Sequence, residues 1–284
     1  MTDGKQKSRW PRWLRWLLLP LLLYMLLRWF EYQNVFQPYG RLDADGSALG
    51  RPWEEVYFQA SDGPKLHAWF FPADTNSPRA QLAVLFSHGN AGNLSHRLDS
   101  YALLLDLGLN VFAYDYRGYG RSAGRPSEEG TYLDAQAAHA WLRARGFAAT
   151  NVLAYGESLG GGVATELALR EPLGGLILQS TFTSIPDLGA ELFPWLPART
   201  LATIKYDTRS KLPRVPVPVL IIHGRADSLV PFHHAERNFA AAQEPKLLWE
   251  LAGDHNDPLD SQRERFQDGL RKFLALLPTR SGPP

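Results

Sequence analysis

Ser158 stands in the string Tyr155–Gly160 (YGESLG), a serine between two glycines at the spacing Gly-x-Ser-x-Gly. A serine hydroxyl is a weak nucleophile until a neighbouring base takes its proton. The run before it, Asn151–Tyr155 (NVLAY), is short and apolar and predicts a strand, while Leu159–Arg170, rich in Gly, Ala and Leu, predicts a buried helix. A side chain pinned between strand and helix points out of the sheet. Gly156 and Gly160 are then needed because a Cβ at either place would collide with the neighbouring chain. The helix N-terminus beside Ser158 would carry partial positive charge suited to a developing oxyanion. A structural serine in a glycine-rich turn has the same local signature, so the partners must decide.

A nucleophile on such an elbow is followed along the chain by an acid and then a base. Asp227 ends the apolar strand of Val217–Pro231 (VPVLIIHGRADSLVP), and Lys246–Gly253 (KLLWELAG) predicts another strand running into Asp254-His255-Asn256-Asp257. Ser158, Asp227 and His255 thus all fall at C-terminal strand ends, where open parallel sheets build their sites. His255 would remove the Ser158 proton and return it to the leaving group, and Asp227 would hold the imidazole tautomer. The competing readings are specific. Asp227 could cap a helix starting near Pro231, and Asp254 or Asp257 could orient His255 instead. His233 and His234 lie too close to Asp227 to reach Ser158, and His67, His96 and His139 fall in a strand, a loop and a helix with no matching partner. For an oxyanion hole, one donor would be the backbone N–H of Leu159. The other would be that of Asn90, in the loop His88–Asn93 (HGNAGN), where Gly89 and Gly92 let the backbone approach a substrate carbonyl.

The string Ala113–Ala135 (AYDYRGYGRSAGRPSEEGTYLDA), together with SHGNAGN, YGESLGG and HGRAD at these spacings, resembles the membrane-anchored ABHD-type serine hydrolases, a branch of the α/β-hydrolase superfamily. The similarity covers about residues 50–277. It implies a doubly wound eight-stranded sheet and a Ser-His-Asp triad on Ser158, His255 and Asp227. It also implies that Asp115 and Arg117 are architectural, a Tyr-rich turn with an Arg–Asp pair bracing the loop beside the site. Some animal relatives remove palmitate from proteins and are targeted by an N-terminal Cys cluster; this chain has no Cys.

Elements must position these residues. Trp53–Gln59 and Lys65–Pro72 alternate and are joined by Ser-Asp-Gly, predicting an antiparallel start to the sheet. Gln81–Ser87, Asn110–Tyr114 and Gly175–Gln179 add strands. Leu94–Leu107, Glu128–Arg145, Leu159–Arg170, Pro231–Ala241 and Ser261–Leu277 read as helices. Strands alternating with helices predict a parallel sheet covered on both faces; the resemblance implies that this is an α/β-hydrolase fold with a mostly parallel sheet of eight strands. The connection 181–216 is long enough to be a small helical cap. It is apolar, and Phe182, Phe193 and Trp195 are its candidate substrate contacts.

The 284 residues divide into a basic segment 1–15, an apolar stretch 16–32, a linker 33–50 and a catalytic domain 51–284. Five basic residues against Asp3 give the first segment a net +4, whereas the remainder holds 25 basic and 28 acidic residues. The basic charge is local, and nucleic-acid binding is not expected. Without Cys, and without paired histidines spaced around a Glu, neither thiolate nor metal-hydrolase chemistry is expected; no cofactor and no metal are implied. Counted from Trp13 to Phe30 the apolar stretch reaches 18 residues, near the short limit for a span. It is expected to be an uncleaved signal anchor, with an interfacial helix and a cleaved signal peptide as rivals. The basic end would lie in the cytoplasm and the catalytic domain on the outer side, with membrane lipid and a small-molecule or acylated substrate as partners. The expected activity is hydrolysis of ester or thioester bonds through an acyl-enzyme. A peptidase or amidase is the nearest alternative, and a catalytically silent membrane-anchored interaction module is the alternative from another class.

Overall fold

Runs such as Ala83–Ser87 (AVLFS), Asn110–Tyr114 (NVFAY) and Val219–Gly224 (VLIIHG) are apolar on both faces, so each suits a strand covered from both sides. The computed structural model of the chain, which describes residues 12–255 and 262–277, joins eight strands in one sheet. They are β1 (Glu54–Gln59), β2 (Lys65–Phe71), β3 (Ala83–Ser87), β4 (Asn110–Tyr114), β5 (Val152–Glu157), β6 (Gly175–Gln179), β7 (Val219–Gly224) and β8 (Lys246–Leu251). Their order across the sheet is β1-β2-β4-β3-β5-β6-β7-β8. The first two form the expected antiparallel hairpin, β2 is antiparallel to β4, and the remaining pairs are parallel.

Helices cover both faces, because side chains along each buried strand alternate between two apolar layers. On one face Tyr101 and Leu104 of α2 (Leu98–Asp106) join Phe86, Tyr155 and Ile222 of the sheet, as do Phe266, Leu270 and Phe273 of the last described helix (Arg263–Leu276). On the other, Trp141 of α3 (Glu128–Ala144) stacks on Phe112 with ring centroids 4.4 Å apart. The expected helix from Leu94 starts instead as a 3-10 turn, Leu94–Arg97, before α2. The cause is local: the Asn93 side chain accepts from Ser95 N–H, and Asn93 N–H donates to His96 Nδ1 at 3.0 Å, which closes the first turn tightly. Ser261, expected in the last helix, lies outside the described residues.

The connection from β6 to β7 is helical as expected: α5 (Ile185–Leu192), α6 (Ala198–Leu201) and α7 (Thr208–Lys211). Ser184 caps α5 by accepting from Asp187 N–H. The return of this cap is fastened by Glu128, whose carboxylate accepts the N–H groups of Lys205 and Tyr206, both at 2.7 Å. Lys211 pairs with Glu166 of α4 (Leu159–Arg170) at 2.7 Å, so the second half of the cap belongs to the core packing.

The chain divides into two compact units, Met1–Gln37 and Pro38–Pro284. In the first, α1 runs from Arg12 to Val35 with Pro20 inside it. The expected spanning anchor at 16–32, with the catalytic domain held on the outer side of a membrane, is not supported: among the described residues no helix is long and apolar enough to cross one. The uninterrupted apolar run, Trp16–Leu27, has 12 residues, about 18 Å of helix at 1.5 Å per residue. A hydrocarbon core is about 30 Å thick. Beyond that run Arg28 and Glu31 form an ion pair at 2.8 Å. The basic segment through Pro11 lies outside the described residues.

Candidate active site

Ser158 sits between β5 and α4 with φ 51° and ψ −112°, a backbone region that costs a non-glycine residue about 1–3 kcal/mol. Two hydrogen bonds hold it there: Ser158 N–H donates to Gln179 O at 2.8 Å, and Gly161 N–H donates to Ser158 O at 3.0 Å. The flanking glycines are required by space. A Cβ on Gly156 would lie 2.3 Å from the Gly160 carbonyl oxygen, and one on Gly160 would lie 2.0 Å from that of Ser87. The expected collision at both positions is therefore present. The serine is the N-cap residue of α4, so its side chain stands at a helix N-terminus.

Asp227 and His255 follow β7 and β8, neighbouring parallel strands, and the structure brings them into contact: Asp227 Oδ2 lies 2.7 Å from His255 Nδ1. The other carboxylate oxygen accepts the N–H groups of Leu229 at 3.1 Å and Val230 at 2.7 Å, so Asp227 shapes its own loop as well as meeting the ring. His223 Nε2 stands 3.2 Å from Asp227 Oδ2 and 2.7 Å from the Val230 carbonyl. Burial would raise the Asp227 pKa, but hydrogen bonds from His223 and His255, with the His255 charge and the Val230 N–H, outweigh it. The carboxyl is held well below its ordinary range. An ionised Asp227 keeps the proton of His255 on Nδ1 and leaves the Nε2 lone pair available.

Asp254 has a task of its own. It accepts Ser228 N–H at 2.7 Å, the Ser228 hydroxyl at 2.9 Å and His255 N–H at 2.7 Å, lacing the Asp227 loop to the His255 loop. These bonds hold its pKa below the ordinary value. It touches the backbone of His255, whereas Asp227 touches the ring. Asp257, the other candidate orienter, lies outside the described residues.

Beside the elbow, Glu157 is gripped by Arg97 at 3.0 and 3.2 Å. Burial would raise its pKa, but the Arg97 charge and hydrogen bonds, helped by the charges of His88 and His255, lower it. Gly89 packs against this pair: a Cβ there would lie 3.0 Å from Glu157 Oε1 and 3.6 Å from Ser158 Cβ, which puts the His88–Asn90 turn directly over the elbow. The His88 ring takes the Gly89 carbonyl at 2.7 Å, and in a trans peptide the Asn90 N–H points the opposite way. Tyr116 and Tyr119 donate to the carbonyls of His88 and Asn90 at 2.8 and 2.9 Å. Gly92 serves the turn, with φ 83° and His96 close by.

Asp115 is fully buried and accepts Leu94 N–H at 2.8 Å, with His88 at 3.4 Å and His67 at 3.6 Å. Arg117 pairs instead with Asp134 at 2.8 Å and Asp62 at 2.7 Å. The histidines read as lacking partners have them: His67 meets Glu55 and His96 meets Asp43, at 3.0 and 2.9 Å, and His139 lies 3.8 Å from Glu171. Of the cap residues, Phe182 is buried, Phe193 is partly buried and Trp195 is 73% exposed, its ring 6.3 Å from that of Phe193. Sequence reasoning missed Arg97, His223, Ser228 and the role of Asp254. Only His223 left a local signal, four residues before Asp227.

The family model described as "Serine aminopeptidase, S33" matches residues 78–212. An uncharacterized protein of Mycobacterium tuberculosis is 41% identical over 222 residues, 78% of each chain. The alpha/beta hydrolase domain-containing protein WAV2 of Arabidopsis thaliana is 37% identical over 246 residues, again 78% of each. Among solved structures, an esterase of Pyrococcus furiosus superimposes with a TM-score of 0.70 at 21% identity, covering 86% of this chain and 98% of that one. With this sheet order, this elbow and relatives at these identities over most of its length, the chain belongs to the α/β-hydrolase superfamily.

Proposed function

We propose that the chain is a serine hydrolase that cleaves ester or thioester bonds of apolar acyl substrates through an acyl-enzyme. The observation that carries this reading is the 2.7 Å contact between Asp227 and His255 Nδ1, which leaves Nε2 as the candidate base, and the strained elbow at Ser158 supplies the candidate nucleophile. In the acylation step Ser158 Oγ attacks the substrate carbonyl carbon while His255 Nε2 takes its proton. The carbonyl oxygen, now an oxyanion, is met by the N–H groups of Leu159 and Asn90. Collapse breaks the ester bond, and His255 returns the proton to the leaving alcohol or thiol. Water, deprotonated by His255, then releases the acid from Ser158. Each oxyanion donor contributes about 10²–10³ in rate. The apolar cap suits an acyl chain, with Phe182, Phe193 and Trp195 as its contacts.

The name of the matching family model favours a second reading, cleavage of an amide at a peptide N-terminus. That chemistry calls for an acid facing the substrate amine. Glu157, the acid beside the nucleophile, is already paired with Arg97, so the ester reading is preferred. Labelling with a fluorophosphonate probe, followed by hydrolysis of p-nitrophenyl esters from acetate to palmitate, the matching thioesters and aminoacyl p-nitroanilides, tests it. Labelling of the wild type with loss in Ser158→Ala, and turnover of esters above anilides, is expected. Faster anilide hydrolysis would transfer the activity to peptides, and equal labelling of the variant would remove Ser158 from the chemistry.

A further inference from the structure

Glu157 and Arg97 take no part in the proton transfers above, yet they meet beside the nucleophile. Arg97 Nη2 donates to Glu157 Oε1 at 3.0 Å and Arg97 Nε donates to Glu157 Oε2 at 3.2 Å. One guanidinium plane thus faces both oxygens of one carboxylate. The two side chains are largely buried, 14% and 17% exposed. Burial works against the Arg97 charge, but the charge and hydrogen bonds of Glu157 outweigh it and hold the pKa above its ordinary value. Glu157 is held ionised in return. A buried ion pair is a poor source of stability, because two charges must be stripped of water, and apolar side chains of the same volume often serve as well or better. What the pair supplies is direction. A bidentate guanidinium–carboxylate contact fixes distance and plane together.

The two residues belong to opposite halves of the proposed oxyanion hole. Glu157 ends β5 and precedes Ser158 in the chain, so it is fixed to the elbow and to the Leu159 N–H. Arg97 closes the 3-10 turn Leu94–Arg97, directly after the His88–Asn93 loop that carries the Asn90 N–H. That loop rests on the pair. A Cβ on Gly89 would stand 3.0 Å from Glu157 Oε1 and 3.2 Å from Arg97 Nη2, and one on Gly92 would stand 3.2 Å from Arg97 Nη1. Three successive carbonyls of the loop are taken by other groups: His88 O by Tyr116, Gly89 O by the His88 ring and Asn90 O by Tyr119, at 2.8, 2.7 and 2.9 Å. Those bonds set the tilt of each peptide, while the Arg97–Glu157 contact ties the loop to the elbow.

We propose that Arg97 and Glu157 are positioning residues, a clamp that holds the Asn90 N–H and the Leu159 N–H at the separation one oxyanion requires. This role rests on the serine-hydrolase reading, whose oxyanion hole the clamp shapes. A misplacement of about 1 Å in such a site costs about 10² in rate.

The test measures kcat, KM and thermal midpoint on p-nitrophenyl esters for the whole chain and for Arg97→Met, Glu157→Leu, the two together, and Arg97→Lys. Either of the first two changes leaves a buried charge unpaired and should lower the midpoint, whereas the double variant removes both charges and should recover it. Turnover should not recover with it. In the double variant kcat and kcat/KM should both stay about 10² below the wild type, with KM unchanged. Arg97→Lys keeps the pair charged, and with it the fold, but lacks the fork; its kcat should fall roughly tenfold or more. The inhibition constant of an acyl trifluoromethyl ketone, whose adduct with Ser158 places an oxyanion in the hole, should rise by the factor that kcat/KM loses. A double variant that regains wild-type kcat together with its midpoint would overturn the clamp and leave the pair structural. A wild-type kcat in Arg97→Lys would overturn it equally. A wild type that neither turns over esters nor takes the fluorophosphonate on Ser158 would instead remove the serine-hydrolase reading, and the clamp with it.

Discussion

Ser158 concentrates the cost of this site in one residue. Its backbone, at φ 51°, is strained by about 1–3 kcal/mol, and glycine would relieve that strain at an entropic cost of roughly 0.5–1 kcal/mol. Ser158→Gly is therefore expected to be more stable than the wild type by about 1 kcal/mol in urea unfolding, while losing all fluorophosphonate labelling. A less stable variant would show that the hydroxyl holds the elbow together. Asp227 acts through the ring it touches. Asp227→Asn should keep the fold and reduce turnover by about 10³–10⁴, because an amide allows the wrong imidazole tautomer. Steady-state kinetics within tenfold of wild type would hand the role to Asp254. Because Asp227 is held ionised well below neutral pH, it should add no step of its own to the pH–rate profile between pH 5 and 8.

At the scale of elements, the cap has two halves with different fates. Its return, Lys205 to Lys211, is tied to α3 and α4 by Glu128 and Glu166, so substitutions there should act on stability. The turn between α5 and α6 leaves Trp195 largely exposed. Trp195→Ala and Phe193→Ala should thus spare the fold and weaken long acyl esters more than acetate, since each buried methylene is worth about 0.8 kcal/mol. A chain-length series in which kcat/KM falls by one factor throughout would mean that these rings do not meet the acyl chain. The same scale explains the misread N-terminus. Counting apolar letters extends the run to Phe30, but the Arg28–Glu31 pair and Pro20 lie on the helix that forms.

The molecule as a whole buries several carboxylates that stay ionised. Asp115, Glu157 and Asp227 all have folded pKa values below their ordinary ones, because histidine and arginine partners outweigh the effect of burial. A depressed folded pKa gives stability that is fully present above the unfolded value and is lost as pH falls through the folded one. Unfolded Asp and Glu titrate near 3.9 and 4.3. The thermal midpoint should therefore vary little on the account of these groups from pH 7 to 5 and decline below about pH 4. A midpoint that rises between pH 5 and 3 in a calorimetric scan would show these carboxylates to be destabilising when charged.

What the sequence determined by itself is local. The apolar runs that make β3 to β7, the glycines around Ser158, and the acid and base at strand ends follow from side-chain period and steric crowding within a few residues. The alternation of those runs with helices was enough to expect a parallel sheet covered on both faces, and its eight strands were what the family resemblance implied. Tertiary structure decided everything that depends on register between distant segments. Arg97 and Glu157 are 60 residues apart, and Ser228 and Asp254 are 26 apart; neither pair has a pattern in the chain. Arg117 reaches Asp62 and Asp134 rather than Asp115, and His67 finds Glu55, because β-strand pairing and the β4–α3 loop bring them together. Glu191 meets His233 and His234 only because the cap folds back over the end of β7. Hydrophobic period and backbone sterics act over one or two turns of chain, whereas a charge finds its partner only after the layers have packed.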